Sequence, residues 1–294
     1  MKKLIIIFSL AFIGLTNLSS YAQGGTVLNP DETPRDGYYD KIHYPNRRVV
    51  PYPYLRESDV MWTRRVWRKI DMREKINQPL YYPRIPTNMR KNLIFILQEA
   101  VCGTETNPTP VVIGYDPFNG DDFKVKLEVP FIKSIGTRND TTQVPYAFPP
   151  YDLHDTVFIK EFDASNVQQF QLKEDWYFEK QRSVMEPRIL GICPRMADYT
   201  ETGEFKGYIP MYWLYFPDVR RVLVNEEVYN PYNFGARITY DDLFMKRMFN
   251  SLIYKVDNTY DRLVEDYVKG LDALLEAENI KDIIFKFEHD VWEQ

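Results

Sequence analysis

The sequence predicts an α+β protein, with helices first, then a central, mostly antiparallel sheet, then helices again. Three observations carry this reading. Apolar residues recur at helical spacing over 58–77, over 88–102 and again beyond 239. Between about 110 and 225 the pattern shortens into runs rich in aromatic and β-branched residues, separated by Asp, Pro, Asn and Gly. Helix and strand blocks that do not alternate, in a chain without internal repeat, are the mark of α+β rather than α/β.

Two segments precede that domain, which spans 58–294. Lys2 and Lys3 are followed by an almost unbroken apolar run from Leu4 to Leu18, and Ser20-Tyr21-Ala22 offers small residues where a signal peptidase reads. This is the layout of a secretory signal peptide over 1–22, cut before Gln23; the alternative is an uncleaved N-terminal anchor. The run is short for a membrane span, which needs about 20 residues. No cysteine stands near the cut to take a lipid. Residues 23–57 then read as an extended arm. Pro30, Pro34, Pro45, Pro51 and Pro53 recur among Tyr38, Tyr39, Tyr44, Tyr52 and Tyr54, and proline excludes helix interiors. The tyrosines suit an arm that lies on a surface, of its own subunit or a neighbour's. Tyr38, Tyr39, Tyr52 and Tyr54 are the candidate contacts.

Within the domain, Trp62, Val66 and Ile70 recur every four residues and predict a helix from Ser58 to Asn77, ended by Pro79. Its outer face would be basic: Arg64, Arg65, Arg68 and Lys69, with Arg73 beyond. That face reads either as solvated surface or as a docking face for an acidic partner. A second helix follows from Asn88 to Cys102, apolar nearly all round and capped by Gly103. Val111–Tyr115 and Phe123–Phe131 flank the turn Asp116–Asp122 as a hairpin, and 134–152 read as loop. Strands are expected at Thr156–Phe162, Asp175–Arg182, Arg188–Cys193 and Tyr208–Phe216, with Val219–Val224 as a further candidate. Thr239 with Asp242 three residues on marks a capped helix carrying Leu243, Phe244, Met248 and Leu252. The last helical stretch, Arg262–Glu293, is divided at Gly270 or Asn279.

Composition narrows function. Loss of Lys2 and Lys3 leaves 35 basic against 42 acidic residues, a net charge of −7, which excludes a general nucleic-acid binder. Cys102 and Cys193 are either a disulfide pair, permitted after export, or two separate buried thiols. His43, His154 and His289 are scattered, and there is no HExxH, GxSxG, CxxC or phosphate-binding glycine loop. No catalytic, cofactor-binding or metal-ligating residue is therefore nominated. Asp116, Asn119, Asp121 and Asp122 carry oxygen ligands of the kind calcium takes, but their spacing fits a hairpin turn better than an EF-hand loop. The aromatic run Tyr208–Phe216 is read as core and interface, with sugar stacking through Trp213 as the alternative.

Several segments together resemble the GldN family of gliding-motility proteins, also called PorN. They are the stretch Ser58–Asn77 with the following Gln-Pro-Leu-Tyr-Tyr-Pro83, then Tyr115-Asp-Pro-Phe118, Lys173–Ser183, Ile189–Pro194, Asp241–Arg247 and Phe285–Trp292. The resemblance covers nearly the whole chain after the predicted cut, in order. It implies a periplasmic component of the type IX secretion system that assembles with an outer-membrane lipoprotein of the GldK or PorK type into rings. It also implies contact with the periplasmic part of a GldM or PorM motor subunit. It implies no enzyme activity, cofactor or metal. The alternatives are a periplasmic glycan-binding module, which would need Trp213, and a periplasmic hydrolase, which would need a cleft with a carboxylate pair.

Overall fold

A computed structural model of the chain describes residues 47–292 apart from 88–89, 105–106, 146–152, 161, 201–202 and 234. The expected signal peptide, most of the arm, and Tyr38 and Tyr39 lie outside the described residues. The helices in chain order are α1 Gln78–Tyr81, α2 Leu93–Cys102, α3 Val129–Ser134, α4 Phe216–Leu223, α5 Tyr240–Met245, α6 Val264–Tyr267 and α7 Leu271–Trp292. The main sheet is built on three strands: β1 Val60–Asp71, β5 Val167–Glu179 and β6 Val184–Tyr199. Around them stand β2 Gly114–Tyr115, β7 Phe205–Pro210, β8 Trp213–Tyr215 and β11 Leu252–Val256. The order is β11-β1-β5-β6-β8-β2, with β7 paired to the remaining part of β6, and every pair is antiparallel. Two small ribbons complete the described structure: β3 Arg138–Pro145 with β4 Leu153–Lys160, and β9 Glu227–Val228 with β10 Ile238–Thr239. The α+β class holds.

The first predicted helix is the principal correction, because 60–71 is a long central strand. A spacing of four is a multiple of the strand period and also close to the helix period, so Trp62, Val66 and Ile70 share a face in either structure. Neighbours decide between them. β1 pairs with β5 from Val60 to Asp71, and that ladder, with Trp, Thr and Val well suited to a pleated surface, outweighs helical propensity.

Other boundaries move for similar local reasons. Val219–Val224 is helical: Pro217 opens α4, and Phe216, Val219, Arg220 and Leu223 are buried at helical spacing. Leu252 belongs to β11, paired with Lys69 of β1, and not to the helix that starts at Thr239. The loop expected at 134–152 contains β3. The expected hairpin around Asp116–Asp122 shrinks to a single bridge between Tyr115 and Lys126, and Val129–Ser134 turns helical behind Pro130. The second helix starts later than the expected Asn88, at Leu93, because Asn92 caps it by accepting from Phe95 N at 3.0 Å. Several local signals do appear as read. Gly103 ends α2 at φ +75°. Thr239 and Asp242 form a reciprocal capping box, and Gly270 separates α6 from α7.

The two faces of the sheet differ. On one face the strands bury two apolar cores. The larger packs Ile70, Phe170, Leu172 and Ile192 against α2, α4 and α5. The smaller packs Val66, Phe178, Ile253 and Val256 against Ala277, Ile280 and Ile284 of α7. The opposite face carries a compact cluster of Trp67, Cys193 and Trp213, roofed by Tyr115 and Phe123. Gly191 makes that roof possible, since a Cβ there would lie 2.7 Å from the Phe123 ring.

Candidate interaction surfaces

Because 60–71 is a strand, the four basic residues proposed as one face are divided between two. Arg64 and Arg68 share the side of Val66, and Arg65 and Lys69 share the side of Trp67. Each of the last three is already engaged. Arg65 forms a fork with Asp175 at 2.6 and 2.9 Å, and hydrogen bonding to that carboxylate raises the guanidinium pKa. Lys69 reaches Glu265 at 2.9 Å. Arg68 is buried, with Nε 3.2 Å from Glu174, and burial lowers its pKa while the Glu174 charge raises it. Arg64 is half-buried and has no carboxylate partner among the described residues. The single basic docking face is thus withdrawn.

Glu174 sits between the two cores and is fully buried. Both terminal nitrogens of Arg247 donate to it at 3.1 Å, and Trp176 Nε1 donates at 3.2 Å. The Arg68 and Arg247 guanidinium groups lie 5.5 and 5.3 Å from the Trp176 ring centre. Arg247 adopts φ 54° just past the end of α5, a backbone that costs a non-glycine residue about 1–2 kcal/mol. The buried ion cluster is what that conformation delivers. Sequence reasoning missed this cluster, although Lys-Glu-Asp-Trp, with charges where a core strand should be apolar, was its signal.

The arm residues within the described structure rest on their own domain. Tyr52 lies with its ring 4.8 Å from the Arg188 guanidinium and 4.5 Å from that of Arg220. Arg220 in turn forks onto Asp241 at 2.7 and 3.1 Å in a buried pair. Arg188 also donates to the Pro53 carbonyl, and Arg47 pairs with Asp242 at 2.7 Å. Burial raises the Tyr52 pKa above the usual phenol value. Tyr54 is exposed.

The remaining candidates resolve plainly. Cys102 and Cys193 are both buried free thiols, Cys102 in the larger core and Cys193 on the opposite face of the sheet, so no bridge joins them. The acidic residues of the Asp116–Asp122 turn are engaged within the fold. Asp116 accepts from Phe118 N, Asp122 pairs with Lys124, and Asp121 holds the buried Lys173 and accepts from Trp67 Nε1. Among the described residues no group of His, Cys, Asp and Glu is arranged to hold a metal. Trp213 is buried against Phe123 and cannot stack on a sugar from solvent. An open cleft of about 370 Å³ lies between β11, α6 and the start of α7; its carboxylate, Glu265, is held by Lys69, and it carries no carboxylate pair.

What the surface does offer is apolar. Helix α7 buries Ala277, Ile280 and Ile284, yet Leu271, Leu274, Leu275 and Phe285 are exposed, at 71% for Leu271 and 65% for Phe285. At 100° per residue Leu271 and Leu275 fall opposite the buried stripe, and Leu274 and Phe285 roughly a quarter turn from it. These side chains leave apolar area of α7 open to solvent after its core contact is made. The sequence carried the signal, since α7 has more apolar residues than one stripe can hold.

Fold and surface together define an α+β domain that consumes its buried charges in ion pairs and leaves several large apolar side chains of one helix exposed. The chain belongs to the GldN family, described as gliding motility associated protein GldN, whose family model matches residues 55–293. It is thereby placed among proteins involved in gliding motility. No curated protein matches the chain.

Proposed function

We propose that the protein is a non-enzymatic structural subunit of the type IX secretion and gliding machinery. It acts in the periplasm after loss of residues 1–22, held at the outer membrane by a lipoprotein of the GldK or PorK type. Copies assemble with that lipoprotein into a ring and meet the periplasmic part of a GldM- or PorM-type motor subunit.

The observation that carries this reading is the span of the family match. Residues 55–293 take in both cores and every strand of the main sheet, so the family's role falls on this domain as a whole. Two further features support it. No helix among the described residues is long and apolar enough to cross a membrane, and no cysteine stands near the expected cut, as a subunit held by a partner would have it. The exposed ridge of α7 supplies apolar surface of the kind that assemblies bury.

The test is a pull-down of the tagged chain from gently solubilised envelopes, with the eluate viewed by electron microscopy. Rings containing a lipoprotein are expected. Recovery of a lone monomer under the same mild conditions would remove the proposal.

A further inference from the structure

We propose that the exposed ridge of α7 docks head to tail onto a basic, aromatic patch of a second copy of this chain, formed around the connection between α1 and α2. The inference deepens the ring reading and rests on it, by naming the two surfaces through which copies meet.

The ridge is apolar with an acidic line through it. Glu278 and Asp282 are exposed between Leu274 and Phe285 on the same side of the helix. Over its length α7 carries six carboxylates, Asp272, Glu276, Glu278, Asp282, Glu288 and Asp290, against Lys281 and Lys286. A lipid surface is disfavoured, because helices that lie on anionic membranes need a basic polar face. Two copies of α7 packed on each other are disfavoured as well, since each would bring the same acidic excess to the contact. The fitting occupant is apolar and basic.

This chain presents such a surface elsewhere. Beyond α1 the exposed Arg84 stacks its guanidinium 5.6 and 5.9 Å from the rings of Tyr81 and Tyr82, and it has no carboxylate partner among the described residues. Ile85 beside it is 80% exposed. Arg90 lies 5.3 Å from the ring of Tyr229, and Tyr232 nearby in sequence is 88% exposed. The Arg84 guanidinium, lying over these rings, is held flat and keeps its N–H edge for a carboxylate. Pro83 and Pro86 restrict the backbone of the segment, which lowers the ordering cost of binding.

The two surfaces are built on different cores, Tyr81 packing against the larger and α7 against the smaller, and share no residue. Two different surfaces meeting head to tail make a heterologous contact, which propagates and closes into a ring when the rotation allows.

Complementation by sedimentation tests the geometry on the full chain. The unaltered protein is expected to associate as concentration rises, and less so in high salt. A ridge variant, Leu274→Glu with Phe285→Glu, and a patch variant, Arg84→Glu with Ile85→Asp, should each stay monomeric with unchanged circular dichroism and melting. An equimolar mixture of the two should form dimers and stop there, because each variant keeps one intact surface. Should the ridge variant fail to fold, Glu278→Lys with Asp282→Lys replaces it in the same mixing scheme with the same expected loss. An unaltered protein that stays monomeric at every concentration, a variant that still self-associates, or a mixture that remains monomeric would overturn the inference. The lipoprotein pull-down on the unaltered chain separates the two readings. Lipoprotein captured without self-association defeats this contact alone, whereas no lipoprotein captured defeats the ring reading.

Discussion

Arg68 and Glu174 approach to 3.2 Å on the buried face between β1 and β5, yet the Arg68 Nε–H is not aimed at the carboxylate and finds no hydrogen-bond acceptor. Arg247, entering from beyond α5, makes the directed bonds. Glu174 is thus one buried negative charge facing two guanidinium groups, placed where the two apolar cores of the sheet meet. Removing it leaves Arg68 buried without a counter-charge, which typically costs about 3–5 kcal/mol. Glu174→Ala should lower the denaturant midpoint by a corresponding amount, with Arg247→Ala, whose side chain is partly exposed, costing less. A midpoint unchanged by Glu174→Ala would show that the cluster does not join the cores.

Gly191 is required by the close approach of Phe123. A Cβ at this position would also lie 3.2 Å from the Trp213 ring. Gly191→Ala should destabilise by roughly 1–3 kcal/mol, the usual cost of overpacking. Phe123→Ala should relieve part of that cost, so the double variant will be less destabilised than the two singles predict. Strict additivity in chemical unfolding would contradict the contact.

Tyr52 fastens the arm by its ring rather than its hydroxyl. Tyr52→Phe should therefore leave the segment 47–56 protected in hydrogen exchange, while Tyr52→Ala should expose it to exchange and proteolysis with little change in global melting. Equal effects from both substitutions would assign the hold to the hydroxyl.

Burial pushes the Cys193 thiol up to about 12, and Cys102 is raised by burial as well. The thiolate is the reactive form, so neither should react with a thiol reagent at mildly alkaline pH in the native protein. Both should react once the chain is unfolded, and reductant should leave the melting temperature unchanged. A reductant-dependent melt would restore the disulfide.

Tyr212, Tyr240 and Tyr254 all have pKa values raised by burial. The folded chain therefore keeps phenol protons that the unfolded chain releases near the ordinary value of about 10. With more protons bound in the native state, their contribution to stability is complete below that value and is lost as pH rises through and above it. Chemical unfolding between pH 8 and about 11 should show a falling midpoint, less steep in Tyr254→Phe. A flat profile would contradict the burial of these phenols.

The sequence alone determined what depends on neighbours along the chain. The capping box at Thr239 and Asp242, the Gly103 end of α2, and the break at Gly270 are each set by a few adjacent residues and appear where read. The class α+β followed from the order of such segments, and the family from the resemblance of the stretches Ser58–Asn77 and Lys173–Ser183 with the shorter ones, which the match over residues 55–293 bears out. Tertiary structure decided whatever depends on a partner far along the chain. Residues 60–71 are strand because β5 and β11, more than 95 positions away, supply the ladder, and a four-residue apolar spacing suits either period. Arg65, Arg68 and Lys69 ceased to be a free basic face once Asp175, Glu174 and Glu265 folded against them. In α7 only packing shows which apolar side chains the core takes and which are left to solvent.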